Sequence, residues 1–469
     1  MATAGRRGGA KRRGRVAGRG VLGLGIVSPH AAGIDVGAEE MWVACPPKDG
    51  EPNVRTFATD TASLGELADW LKVGGVTAVA MESTGVYWIP LYELLESRGF
   101  DVSLVDARTL GRVPGRKTDM IDCQWLQQLH AHGMLRGCFR PKEETVPLRA
   151  LLRLRRLLAN QQDDWVRRAQ KALDQMNVRV HRAVTDIQGV TGMRIIRAIL
   201  AGERNPAALA TLRDPHCHKS ARQIARELTG NWREEHLYAL RLAMANYDHF
   251  ARQIAELGRH LIEILARVRQ RRAAAGLPAC PVEEVAKPAD RNKATSIMRD
   301  GLEELRVALA ATFGIDLSTI EGIGVETASA VLGEIGPEVG DFPNEKAFLA
   351  YLRLAPNLAI SGGKPVRGKP VPRGSPIVKQ LLKTAATSLR QSKTVLGAYY
   401  RKIAYRKGAG VAAFATARKL ASHIYRALAN GTPFVTAGLE AEERKALDRQ
   451  RAHLDRVATR LGLKVVPAN

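Results

Sequence analysis

Ala32-Gly-Ile-Asp-Val-Gly37 reads as a short apolar strand carrying one carboxylate where an apolar side chain would be the default. After a turn come a second strand over residues 41–45 and a third over 54–58. Leu64, Leu67, Ala68 and Leu71 then fall at the spacing of one helical face, so residues 64–72 read as a helix. Val76-Thr-Ala-Val-Ala-Met-Glu82 is a buried strand that ends in a second carboxylate. A helix over 86–98, a strand over 102–105 and a helix over 117–133 complete the run. A strand hairpin followed by alternating strand and helix predicts a mixed α/β sheet.

That order is the order of the ribonuclease-H-like fold, and it gives the carboxylates a place. Asp35 lies mid-strand and Glu82 at a strand's C-terminal end, where open α/β sheets hold their ligands. Asp119 and Asp122 are three apart on one helix and share a face. Four converging carboxylates repel one another unless cations neutralise them. The set therefore implies a divalent metal, Mg²⁺ by preference for all-oxygen ligands, with Mn²⁺ as a substitute. Two such ions can activate an attacking oxygen and stabilise a leaving one in phosphoryl transfer. Taken singly the acids have plainer readings, Asp35 or Glu82 as a turn or cap and the helical pair as a solvated face. Arg116 and Lys117, just before the pair, add cationic contacts for a phosphate backbone.

A second stretch is Pro356-Asn-Leu-Ala-Ile-Ser-Gly-Gly-Lys-Pro-Val-Arg-Gly-Lys-Pro-Val-Pro-Arg-Gly-Ser375. Ser361, followed by Gly362 and Gly363 and then Lys364, Arg367, Lys369 and Arg373, is what a flexible cationic loop needs to bring a hydroxyl up to a phosphate. From Lys346 to Leu439 there are 17 Lys or Arg and no Asp or Glu, so that segment faces polyanion. Ser375 is the rival hydroxyl. Upstream, Ile320-Glu-Gly-Ile-Gly324 reads as the turn of a helix-hairpin-helix, with Gly322 and Gly324 exposing backbone N–H groups to phosphate; Gly-x-Gly also caps ordinary helices. Helices over 377–390 and 396–406 interleave Tyr399, Tyr400 and Tyr405 with cations, a pattern suited to stacking on nucleic acid, with Tyr400 equally suited to a core.

The whole chain of 469 residues has 71 Lys or Arg against 47 Asp or Glu, a formal charge of +24. Nucleic acid is the leading partner. No apolar run reaches membrane-spanning length, so no membrane partner is expected. Five scattered cysteines without a Cys-x-x-Cys pair read as reduced cytosolic thiols, and His216-Cys217-His218 lacks ligand spacing. The expected division is a disordered basic tail over 1–30, a catalytic domain over 31–146, a helical coiled-coil arm with linker over 147–295, a serine-bearing, mostly α domain over 296–436, and a charged C-terminal tail over 437–469. Two long amphipathic helices, from 148 toward 180 and over 233–269, make the arm, with a turn-rich stretch over 202–215 between them and a Pro/Ala-rich linker over 273–293.

Gly33-Ile-Asp-Val-Gly37, Met81-Glu-Ser-Thr-Gly85, Lys117-Thr-Asp-Met-Ile-Asp-Cys-Gln-Trp-Leu126, Ile360-Ser-Gly-Gly-Lys364 and Leu396-Gly-Ala-Tyr-Tyr-Arg401, in this order, resemble the transposases of the insertion-sequence 110 family. The likeness covers residues 31–436. It implies a DEDD, Holliday-junction-resolvase-like domain joined to a serine-bearing transposase domain. It further implies an enzyme that excises and inserts its element, with a structured guide RNA pairing to the DNA of the element ends and target. By position, Asp35, Glu82, Asp119 and Asp122 would be the metal-binding tetrad and Ser361 the nucleophile joined transiently to DNA. Such a link conserves phosphodiester energy. The loop supplies no His or carboxylate to activate Ser361, so the acids of the other domain must approach it, from the same or a neighbouring subunit. A homo-oligomer in bacterial cytoplasm, associated with the nucleoid, is the corresponding expectation. The alternatives are a metal-dependent junction resolvase or nuclease that uses water as nucleophile, and a nonenzymatic basic nucleic-acid-binding protein.

Overall fold

A computed structural model describes residues 25–47, 53–83, 85–106, 119–135, 137–140, 145–277, 285, 302–355, 359–361, 364–366 and 374–463. The chain divides into two compact units: residues 1–140 with 358–372, and residues 141–357 with 373–469. Residues 1–24 of the basic tail expected over 1–30, Arg116 and Lys117, and most of the linker over 273–293 lie outside the described residues, while residues 25–30 are ordered against the first unit.

The first unit is built on a five-stranded sheet of β1 (Ala31–Val36), β2 (Glu40–Ala44), β3 (Val54–Ala58), β4 (Ala78–Glu82) and β5 (Asp101–Val105). The spatial order is β3-β2-β1-β4-β5. The two hairpin pairings are antiparallel, while β1–β4 and β4–β5 are parallel. This is the mixed sheet the alternation predicts. Helices α1 (Thr61–Val73) and α2 (Trp88–Ser97) pack over a core containing Ile34, Val36, Met41, Val43, Val79 and Met81, with Leu64, Leu67, Leu71, Leu91 and Leu95 from the helices. Asp60 starts α1 by accepting hydrogen bonds from the Ser63 amide at 3.0 Å and the Ser63 hydroxyl at 2.6 Å. Burial of Ile34, Val36, Val79 and Met81 on that face turns Gly33, Asp35, Ala80 and Glu82 to the opposite face, because strand side chains alternate.

The opposite face carries α3 (Asp119–Ala131), where Leu126 packs with Ala80 and Val105. A Cβ built on Gly33 would lie 2.3 Å from the Gln127 backbone N and 2.4 Å from the Cys123 carbonyl, so only glycine admits the helix so close to the strand. Gln127 Nε2 donates to the Ala31 carbonyl at 3.1 Å, and the amides of Val27 and Ser28 donate to the Ala131 carbonyl. The C-terminal half of α3 therefore lies over the start of β1, and its first turn lies toward the end of β1.

In the second unit, α4 (Val146–Gln175) and α9 (Glu234–Ala274) pack along each other as a long helical hairpin. The stretch between them is more than a turn. It folds into α5 (Val180–Ala183), α6 (Val190–Leu200), α7 (Pro206–Thr211) and α8 (Ala221–Glu227), which with the facing ends of α4 and α9 bury Leu173, Met176, Val180, Ile195, Ile199, Leu209, Ile224 and Leu240. Short helices of four to eleven residues escape a reading by periodicity, since each spans too few turns to show a stripe. Helix α9 also continues to Ala274, into the first residues expected of the linker. Beyond it come α10 (Glu303–Phe313), a 3₁₀ turn at Leu317–Thr319, α11 (Val325–Ile335), α12 (Glu345–Tyr351), α13 (Pro376–Ser388), α14 (Val395–Lys407), α15 (Ala409–Asn430) and α16 (Thr432–Arg460). Between α12 and α13 the chain forms a two-stranded hairpin, β6 (Ala359–Ser361) and β7 (Lys364–Val366).

Candidate active site

Asp35 and Glu82 are neighbours by strand register. Gly33 pairs with Ala80 across the parallel β1–β4 ladder, and each carboxylate stands two residues further along its strand on the same face. Adjacent strands are separated by about 4.8 Å, so the two acids flank one point on the C-terminal rim of the sheet. The antiparallel seating of α3 on Gly33 brings Asp122 to that rim and makes Asp119 the helix's first residue.

Cys123 lies between these acids. Its buried thiol is pushed up to about 12, chiefly by desolvation and next by the negative charge of Asp35, with Asp122 adding to the effect. The thiol thus feels both carboxylates, one from the strand and one from the helix. A thiol so raised is unreactive at neutral pH. Asp106 follows the last residue of β5, whose Val105 pairs with Glu82, so a further carboxylate borders the same rim. Sequence reading passed over Asp106 because only the strand register connects it to the others.

Among the described residues, no three His, Cys, Asp or Glu side chains are gathered closely enough to hold a metal ion. The side chain of Asp119 is outside that description. What the fold supplies is a rim of oxygen donors from two strands and one helix turn, the donor chemistry that hard divalent cations require.

Ser361 ends β6 and pairs with Lys364 at the start of β7, with Gly362 and Gly363 between them. Two intervening glycines suit a tight hairpin, since such turns call for positive φ. Gly362, Gly363, Arg367, Lys369 and Arg373 lie outside the described residues, and Lys364 is described by its backbone. Residues 358–372 group with 1–140, the unit holding the carboxylates, rather than with the helices that flank them in sequence.

The roots of the hairpin are closely tied. Arg353, with φ 57°, is a non-glycine residue in the left-handed region, and its Nε donates to the Gly374 carbonyl at 3.0 Å. Gly374 has φ 83°, and a Cβ there would fall 1.6 Å from the Tyr351 carbonyl oxygen. Arg418 Nη1 donates to the Leu354 carbonyl at 3.3 Å. Ser375, the rival hydroxyl, is 3 % exposed and caps α13, accepting from the Val378 amide at 3.5 Å. Its oxygen is committed to a helix terminus.

Gly322, with φ 78°, and Gly324, the residue before α11, lie in the connection between the 3₁₀ turn at Leu317–Thr319 and α11. Acids border it on both sides. Glu321 accepts hydrogen bonds from the hydroxyls of Ser392 and Thr394, while Glu326 lies 3.7 Å from Arg155 Nη1. On α14, Tyr400 is core at 2 % exposed, whereas Tyr405 is 95 % exposed among the exposed Arg401, Lys402, Arg406 and Lys407. Lys419 Nζ stands 5.3 Å from the Tyr399 ring centroid.

No helix among the described residues is long and apolar enough to cross a membrane. A search of curated proteins finds no match. Family comparison is informative: a model of DEDD transposases of the IS110 type matches residues 32–178, and one described as Transposase IS116/IS110/IS902 family matches residues 316–401. The first match spans β1 through α4, with Asp35, Glu82, Asp119 and Asp122, and the second runs from the glycine turn through Ser361 to Arg401. With these two segments matched in the family's order, the chain belongs to the IS110 family of transposases, enzymes that process DNA.

Proposed function

We propose that this transposase excises and inserts its element by serine transesterification at DNA phosphodiesters, with a structured RNA supplying the sequence match. One observation carries the proposal. Asp35, Glu82 and the first turn of α3 meet on one rim, and the unit that contains them also takes in the hairpin of Ser361.

In this reading Asp35, Glu82, Asp119 and Asp122 hold divalent metal, Mg²⁺ or Mn²⁺, which supplies charge neutralisation and a lowered pKa for an attacking oxygen. The chain's own residues do the rest. Ser361 presents its hydroxyl at a scissile phosphate, attacks phosphorus and becomes joined to one side of the broken strand, while the oxygen of the other side leaves and takes up a proton, matching the one lost by serine, to become a free hydroxyl. Reversal of that step on a new strand restores Ser361. Lys364, Arg367, Lys369 and Arg373 hold the phosphate backbone against the hairpin, and Arg116 and Lys117 do the same beside α3. The grouping of 358–372 with 1–140 supports a meeting of serine and acids within one chain, leaving a homo-oligomer the task of bringing two DNA ends together.

Gly322 and Gly324 are the expected contacts that local charge opposes, because Glu321 and Glu326 border the turn. Backbone affinity is therefore assigned mainly to the acid-free segment over 346–439 and its exposed cations on α14. The deciding experiment incubates the protein with Mg²⁺, element-end DNA and the element's flanking RNA, then denatures and sizes the product. A protein–DNA adduct that is absent in Ser361→Ala is the expected result. Cleavage without an adduct replaces transesterification by hydrolysis with water, and activity independent of the RNA removes the guide from the mechanism.

A further inference from the structure

An open groove lies within the second unit between α4, α11 and α13, and none of its lining residues belongs to the proposed chemistry. Arg149, Arg153 and Arg156 occur on α4 at intervals of four and three, so they form one stripe, and all three line the groove with Arg155. The helices touch at Gly333, where a Cβ would stand 2.7 Å from Leu152 Cδ1, and the groove opens beside that contact.

The acids among the described residues that line the groove are Glu326 and Glu334. Glu334, 3 % exposed, accepts from Arg153 Nε and Nη2 at 2.5 and 2.8 Å and faces Arg149 Nη2 at 3.1 Å. Glu326 lies 3.7 Å from Arg155 Nη1. Among the residues lining the groove, guanidinium groups thus outnumber carboxylates. An ion-pair cement between α4 and α11 accounts for Glu334 with Arg149 and Arg153. It leaves the buried Nη1 of Arg156 and the buried Nε of Arg149 without an acceptor. Buried guanidinium N–H groups without acceptors are costly, and a groove lined by more guanidinium groups than carboxylates suits an anion.

The structure assigns this groove to a phosphate group, and, resting on the functional reading above, to a phosphodiester of the bound DNA or RNA. A tetrahedral anion offers oxygens in several directions, which matches two N–H groups on different guanidinium planes.

The test uses the full-length protein, an end-labelled DNA duplex, a labelled structured RNA and a salt series. Arg156→Gln should lower affinity severalfold and reduce the slope of log K against log salt by about one for whichever nucleic acid occupies the groove. Arg156→Lys should restore most of the slope, and Arg259→Gln, which removes an exposed charge from α9, should leave it nearly unchanged. Equal slopes in wild type and Arg156→Gln, or an equal fall in Arg259→Gln, would overturn the assignment to nucleic acid. A parallel arm adds inorganic phosphate and follows thermal unfolding. Stabilisation of the wild type that Arg156→Gln abolishes, with no slope change, makes the groove a free-phosphate site instead. If the wild type binds neither DNA nor RNA, the functional reading fails, and the unfolding arm still decides whether the groove takes phosphate.

Discussion

The rim of the sheet and the serine hairpin, the two halves of the proposed chemistry, are built in opposite ways. Each rim acid is fixed by something larger than itself: Asp35 and Glu82 by a paired ladder, Asp122 by a helix pressed onto Gly33. Ser361 stands on a ladder of three residues per strand, and the described constraint sits at its roots, where Arg353 reaches Gly374. The difference fits the tasks. Groups that share charge through a common cation need fixed separations, whereas a nucleophile that becomes bonded to DNA must travel with the strand it holds.

The strongest way to break this comparison is at the rim. Asp122→Asn removes one charge with little change of shape, and single-turnover cleavage should fall by about a thousandfold, roughly 4 kcal/mol of barrier. DNA affinity should stay within about twofold, because the cations lie elsewhere. Retained cleavage would strip the rim of its role.

A smaller effect is expected at the hairpin roots. Arg353→Met deletes the hydrogen bond to Gly374 and should slow adduct formation by between about tenfold and a hundredfold, the penalty of misplacing a reacting group by about an ångström. KM for DNA and the thermal midpoint should move little. A rate loss matched by a comparable loss of folded protein would make Arg353 a stabilising residue and dissolve the contrast between rim and root.

The smallest effect sharpens the choice of serine. Ser375→Ala should lower stability by about 1 kcal/mol through loss of a helix cap, measured by denaturant unfolding, and should still form the adduct. Loss of the adduct with stability unchanged would move the nucleophile to Ser375.

Much of the sheet was legible in the sequence because its strands are short apolar runs, two of them carrying an out-of-place acid at Asp35 and Glu82, and β1 through β5 lie within two residues of the expected bounds. Asp119 and Asp122 were legible as a pair from helical spacing. The seating of α3 on Gly33 was not, since a glycine that admits a helix reads like any glycine in a strand. Nor could spacing reveal that Arg149 and Arg153 share Glu334, 181 residues from Arg153. The positive φ of Arg353 is likewise imposed by tertiary contacts rather than by its residue type.

The short distance between Arg353 and Gly374 bears on how such an enzyme diversifies. A segment that leaves and re-enters a helical framework at nearly the same point can be lengthened, shortened or exchanged with little change in closure entropy. The framework on either side, α12 and α13, is joined through the root rather than through the hairpin. The piece that bears the proposed nucleophile can thus change length while the joint between α12 and α13 is kept.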